Sequence, residues 1–103
     1  MAKVLEKRSY ERRLFALDLS PTLRDSGDTI ASVESVAALL QGAGTAVAVA
    51  ISDVSFTDMK VQFIASAGQG DRDYTIRTRV LTAGDPEQRL EAVVRLAVRD
   101  PTP

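Results

Sequence analysis

From residue 13 to residue 98, apolar side chains recur at every second position in several short runs, the period of a strand with one dry face. Along 13–19, Phe15, Leu17 and Leu19 alternate with Ala16 and Asp18. Residues 46–51 set Val47, Val49 and Ile51 between alanines, and 59–63 set Met59, Val61 and Phe63 against Lys60 and Gln62. The sharpest alternation is 74–80: Tyr74, Ile76, Thr78 and Val80 on one face, Thr75, Arg77 and Arg79 on the other. Each run is predicted to be a strand. Turn chemistry separates them: Ser20-Pro21 followed by 24–28, Gly42-Ala43-Gly44, 65–70 with two glycines, and 82–88. Residues 52–58 read as a polar connection with Phe56 inside it.

Two segments fit more than one period. In 29–40, Val33, Val36, Ala37 and Leu40 follow helical spacing with Gly42 placed to end a helix, yet Ile30, Val33 and Val36 are β-branched and suit a strand. In 90–99, Leu90, Ala92, Val94, Leu96 and Val98 alternate with Glu91, Val93, Arg95, Ala97 and Arg99. The same stretch also offers a helical face through Leu90, Val93, Val94 and Ala97, with Asp85-Pro86 as a helix start and Glu91 four residues before Arg95. The period decides neither segment. Five or six short strands in about 90 residues point to a small antiparallel sandwich or barrel.

The first thirteen residues differ. Lys3, Lys7, Arg8, Arg12 and Arg13 stand against Glu6 and Glu11, a local charge of +3, and few positions suit a core. The division expected is a basic N-terminal arm over 1–12, a sandwich over 13–100 and a tail over 101–103. The arm reads either as a solvated terminus or as a segment ordered by a partner.

Composition narrows the chemistry. In 103 residues there is no His and no Cys, which removes Ser-His and Cys-His nucleophile pairs, zinc sites with those ligands, and disulfides. A net charge of -1 gives no general basic field for nucleic acid, and with two Tyr and three Phe a base-stacking platform is not expected. No secretory leader pattern opens the chain, and the longest small apolar run, 43–51, is far short of a membrane span. Neither Gly42-x-Gly44 nor Gly68-x-Gly70 is followed by the Lys-Ser/Thr of a phosphate loop.

Carboxylates are the remaining candidates. Asp71 and Asp73 sit in a Gly-rich turn and Asp53 and Asp58 flank Phe56, so two loops offer calcium-type oxygen ligands or simply solvated turn acids. No cofactor is expected. Arg77 and Arg79 share a strand face, and if that strand pairs with 90–99, Arg95 and Arg99 join them. Four guanidiniums on one surface read as a docking patch for an acidic partner, or as a solvated face balanced by Glu91 and Asp100.

The acidic-then-Tyr strand opening Asp71-x-Asp73-Tyr74-Thr75-Ile76 is similar to the tyrosine corner of immunoglobulin-like sandwiches. The order of segments over 12–100 carries a wider likeness: D-T-I-A-S at 28–32, V-Q-F-I with an Ala/Gly turn over 61–70, Y-T-I-R-T-R-V-L-T-A-G over 74–84, and a last alternating strand over 90–100. This resembles bacteriophage immunoglobulin-like fiber-tail adaptor, or neck and tail accessory, proteins. Departures are Ser32 to Val36, where the family often carries an aromatic, and Ser66-Ala67-Gly68 in place of S-G-G.

The resemblance turns 30–38 and 90–99 toward strand. It implies an all-β, antiparallel immunoglobulin-like β-sandwich with an extended N-terminal arm. It further implies a non-enzymatic virion protein, assembled in the host cytoplasm, that links tail and fiber components in several symmetric copies. No small-molecule substrate, nucleic acid or membrane is expected among its partners. The alternatives are a capsid decoration protein and a small carboxylate-dependent hydrolase. On this reading the partner contacts fall on Lys3, Val4, Leu5, Lys7, Arg8 and Arg12 of the arm, with Arg77 and Arg79 on the sheet.

Overall fold

The computed structural model describes residues 4–24, 27–42, 44–84 and 86–100. Along the chain run β1 (Val4–Lys7), β2 (Arg13–Asp18), the five-residue helix α1 (Ser20–Arg24), β3 (Ile30–Leu40), β4 (Val49–Phe56), β5 (Lys60–Ala67), β6 (Arg72–Thr82) and β7 (Arg89–Val98). The strands form two sheets, ordered β1-β7-β6-β3 and β2-β5-β4. All pairings are antiparallel except β1 with β7, so the four-stranded sheet is mixed rather than wholly antiparallel.

The inward residues of the two sheets meet in a shared core. Phe15, Leu17, Phe63 and Ala65 come from one sheet and Leu5, Tyr74, Ile76, Leu96 and Val98 from the other. Phe63, Ile76, Leu96 and Val98 are fully buried, each worth about 2 kcal/mol of apolar transfer. The Phe15 and Phe63 rings lie 6.0 Å apart in a tilted pair. A second cluster, Leu19, Leu23, Ile30, Val61 and Val80, fills the end under α1. That helix begins where the Ser20 amide donates to Asp18 Oδ1 at 2.9 Å, and it drives Leu23 into the cluster.

Both ambiguous segments are strands. In β3 two register shifts, at Ile30/Ser32 and Val33/Ser35, each add a residue. The inward positions therefore fall at 30, 33 and 36 before returning to 38 and 40. Bulges thus give a strand the spacing of a helix. In β7 the alternating reading holds, with Leu96 and Val98 buried opposite Tyr74 and Arg72.

Two expectations need correcting. β4 does not begin at residue 46 and end at 51. It starts at Val49 and runs through the supposed connection to Phe56, its alternation broken by a register shift between Ser52 and Ser55 and by Asp53 at φ +51°. The N-terminal segment is not an arm over its described part. Val4–Lys7 is a strand on β7, with Leu5 and Lys7 buried. A lysine can enter there because its aliphatic stem packs while its ammonium donates to the carbonyls of Ala67 and Arg8 at 2.6 and 2.7 Å. Residues 1–3 and 101–103, and with them Lys3, lie outside the described residues.

Candidate docking surface

The register of β6 against its neighbours builds one broad outer face. Thr75, Arg77 and Arg79 point away from the core and lie opposite Arg95, Val93 and Glu91 of β7. On the other side they meet Leu39, Ala37 and Ser35 of β3. Val4 of β1 lies beside Arg95. The alternation that buries Tyr74, Ile76, Thr78 and Val80 is what sets these guanidiniums outward.

Their carboxylates are shared. Glu91 Oε1 accepts from Arg79 Nε at 2.9 Å and lies 3.3 Å from Arg77 Nε, which is buried and makes no hydrogen bond. Asp73 accepts from Arg95 and, at 2.7 Å, from Arg99, whose guanidinium also reaches the carbonyls of Val98 and Arg72. Partial desolvation pushes the Asp73 carboxyl up, but the hydrogen bonds and charges of Arg95 and Arg99 outweigh it and hold the pKa below the ordinary value. Arg89 lies 3.6 Å from Glu34. Five guanidiniums (77, 79, 89, 95, 99) thus face three carboxylates (34, 73, 91), and Glu6, exposed beside Val4 on the outer side of β1, adds a fourth, leaving an excess of one positive charge. Glu34, Arg79, Arg89, Leu90 and Glu91 rim an open depression on this face. Exposed aliphatics, Val4, Leu39 and Val93, lie among the charges.

The expected four-arginine surface is therefore present, with one difference. Asp73, not Asp100, balances Arg95 and Arg99, whereas Asp100 accepts from the Ser9 amide at 2.9 Å and from its hydroxyl at 2.7 and 2.9 Å. Those Ser9 hydrogen bonds hold the Asp100 carboxyl below its usual value. Asp73 was open to discovery from sequence, since it has the same parity as Arg77 and Arg79.

The candidate residues separate into three places. Val4, Arg77 and Arg79 share the outer face just described. Leu5 and Lys7 are in the core, and burial pushes the Lys7 ammonium pKa down against the pull of Glu11 and Asp100. Arg8 and Arg12 are exposed around the turn after β1, Arg12 bound to Asp53 at 2.8 Å. Tyr10, which the sequence did not single out, is 97% exposed in that turn. The turn is tied by Arg8 N to Glu11 Oε1 at 2.7 Å and Glu11 N to Arg8 O at 3.1 Å.

The calcium-type loops are spent differently: Asp73 on two arginines and Asp53 on Arg12. Among the described residues no three acidic side chains converge as metal ligands. No described helix is long and apolar enough to cross a membrane.

No curated protein and no solved structure matches the chain. Over residues 7–97 it matches the family described as podophage GP4 fiber-tail adaptor protein gp77, and it belongs to that family.

Proposed function

We propose that this chain is a non-enzymatic virion component that couples fiber to tail, at or near the neck, and that its arginine face is one of its contacts. The family match over residues 7–97 supports a tail-related structural role. The observation that carries the contact is the excess of guanidiniums over carboxylates around Arg77 and Arg79, interleaved with Val93 and Leu39. Arginine keeps donors free after one ion pair and loses little hydration, so such a face suits an acidic protein surface. The occupant inferred is an acidic patch on a tail, connector or fiber protein. Arg8 and Arg12, with exposed Val4, extend the contact, while Leu5 and Lys7 hold β1 in place.

We also infer an immunoglobulin-like sandwich. It is supported by the strand order and by Tyr74, which stands at the start of β6, accepts from the Gln69 amide at 2.9 Å and donates to the Val47 carbonyl at 2.5 Å.

The test is phage assembly with Arg77→Glu/Arg79→Glu in the full chain, with circular dichroism of the purified variant as a control for folding. Both side chains are outward, so the fold is expected to persist while incorporation of the protein and of fibers falls at least tenfold. Normal incorporation of the folded variant would overturn the contact. Hundreds of copies per particle, counted by quantitative mass spectrometry, would favour a head decoration role instead. Deleting residues 1–13 would not test docking cleanly, because it removes β1 and its buried Leu5 and Lys7.

A further inference from the structure

The turn between β1 and β2 is held from several directions. Residues 8–12 cross from the edge of the four-stranded sheet to the edge of the other. Within the turn, Arg8 N donates to Glu11 Oε1 and Glu11 N donates to Arg8 O. Longer ties fix it to the rest of the fold. Ser9 donates through its amide and its hydroxyl to Asp100, 91 positions away. Arg12 pairs with Asp53 of β4, 41 positions away. At the start of the turn the Lys7 ammonium donates to Arg8 O, and the Lys7 carbonyl accepts from Arg99 N at 2.9 Å. Arg8, Ser9, Glu11 and Arg12 all enter these bonds, and Tyr10 enters none of them. Its side chain is 97% exposed, whereas tyrosine is ordinarily at least partly covered. The turn is thus fixed around a side chain that contributes nothing to holding it.

Polar groups at the turn are unequally used. The carboxylates that touch it are engaged: Glu11 Oε1 by an amide, Asp53 Oδ2 by Arg12, and both Asp100 oxygens by Ser9. Its donors are less so. Among the described residues the Arg8 guanidinium makes no hydrogen bond and acts on Asp100 only through its field. That of Arg13 reaches the Glu6 carbonyl at 3.1 Å and lies 5.6 Å over the Phe15 ring.

We propose that Tyr10 is an anchor residue, whose ring enters an apolar pocket on another virion protein with hydrogen-bond acceptors at its rim for the phenol and for Arg8 and Arg13. This rests on the adaptor reading and deepens it by naming the side chain at the centre of one contact. A tyrosine ring brings a large contact area with only two torsions to order. A turn already fixed in the free protein adds no loop-ordering cost on binding. Open guanidinium donors beside spent acceptors select a rim of carboxylates or carbonyls. The same turn of a second copy would set guanidinium against guanidinium. A single ring does not make the stacked platform that single-stranded nucleic acid needs.

The composition of the chain supplies the test. It has two tyrosines and no Cys or Trp, and Tyr74 is 1% exposed, so nitration of the folded protein with tetranitromethane reads Tyr10 alone. Free protein and phage particles are nitrated side by side, and position 10 is quantified by mass spectrometry. Protection of roughly tenfold or more in the particle is expected. Equal rates would overturn the proposal. So would protection in the free protein that grows with its concentration, since the occupant would then be a second copy. In a second arm, particles assembled without this protein take up purified variants whose folding is checked by circular dichroism. Tyr10→Ala is expected to bind roughly tenfold or more weakly, while Tyr10→Phe, which keeps the ring, recovers most of that loss. Leu14→Ala, exposed on β2, is the control and should bind as wild type does. Equal uptake of Tyr10→Ala and wild type, or an equal loss in Leu14→Ala, would sink this inference and leave the adaptor reading standing. Absence of the wild-type protein from particles would sink both.

Discussion

The Lys7 ammonium donates a 2.6 Å hydrogen bond to the carbonyl of Ala67, sixty positions along the chain, and so ties β1 to the end of β5 across the core. Its stem fills space beside Leu5, and its charge rests on two carbonyls. Hydrogen bonds from a charged group carry more than neutral ones, so Lys7→Ala is expected to cost about 2–3 kcal/mol in urea unfolding. Lys7→Met restores the stem without the donor and should recover part of that loss. Amide exchange in β1 is the local readout, and it should rise in Lys7→Ala before that of β6.

Tyr74 gives a second local prediction. Its hydroxyl accepts from Gln69 N and donates to Val47 O, joining the β5–β6 turn to the chain before β4. Tyr74→Phe keeps the buried ring and removes both bonds, at an expected cost of about 1–2 kcal/mol. Faster amide exchange at Gln69, with the β6 amides unchanged, would separate this effect from general loosening.

Much of the fold could be read from the sequence because burial imposes a parity. Tyr74, Ile76, Thr78 and Val80 are all buried, and the arginines between them are outward. The reading failed where backbone irregularity changes the count. Two added residues in β3 mimic a helical period, and Asp53 in a left-handed conformation hides the second half of β4. It failed again at β1, where composition suggests solvent but a long-range partner, Ala67 O, makes burial of Lys7 tolerable. The arginine face followed from parity once the strands paired.

Acid stability follows from three carboxyls. Asp28 is held below the ordinary value by the Thr29 amide, then by the Thr82 hydroxyl and the amides of Gly84 and Ala83. Asp100 is lowered by Ser9, and Asp73 by Arg95 and Arg99 against a desolvation that raises it. A carboxyl whose folded pKa lies below its unfolded value of 3.8 stabilises the fold fully above that value. That stability is lost as pH falls through the folded value. The unfolding temperature is therefore expected to fall steeply only below about pH 4. Asp100→Asn should be less stable at pH 7 and lose less on acidification, measured by thermal melts at both pH values.

Gly68 and Gly44 allow backbone strain to be separated from packing. Both have positive φ, +97° and +100°, so a side chain at either position strains the backbone by about 1–2 kcal/mol. Their surroundings differ. A Cβ on Gly44 meets nothing within 4 Å, while one on Gly68 would stand 2.8 Å from Val49 Cγ2 and 3.3 Å from Val98 Cγ2. Both valines are buried in the main core, so neither can turn aside without displacing neighbours. Overpacking adds about 1–3 kcal/mol. Gly68→Ala is therefore expected to lose clearly more stability in urea unfolding than Gly44→Ala, and adding Val49→Ala should recover a larger part of the deficit in Gly68→Ala than in Gly44→Ala. Equal losses at the two glycines would mean that the β5–β6 turn yields to the added methyl instead of pressing it into the core.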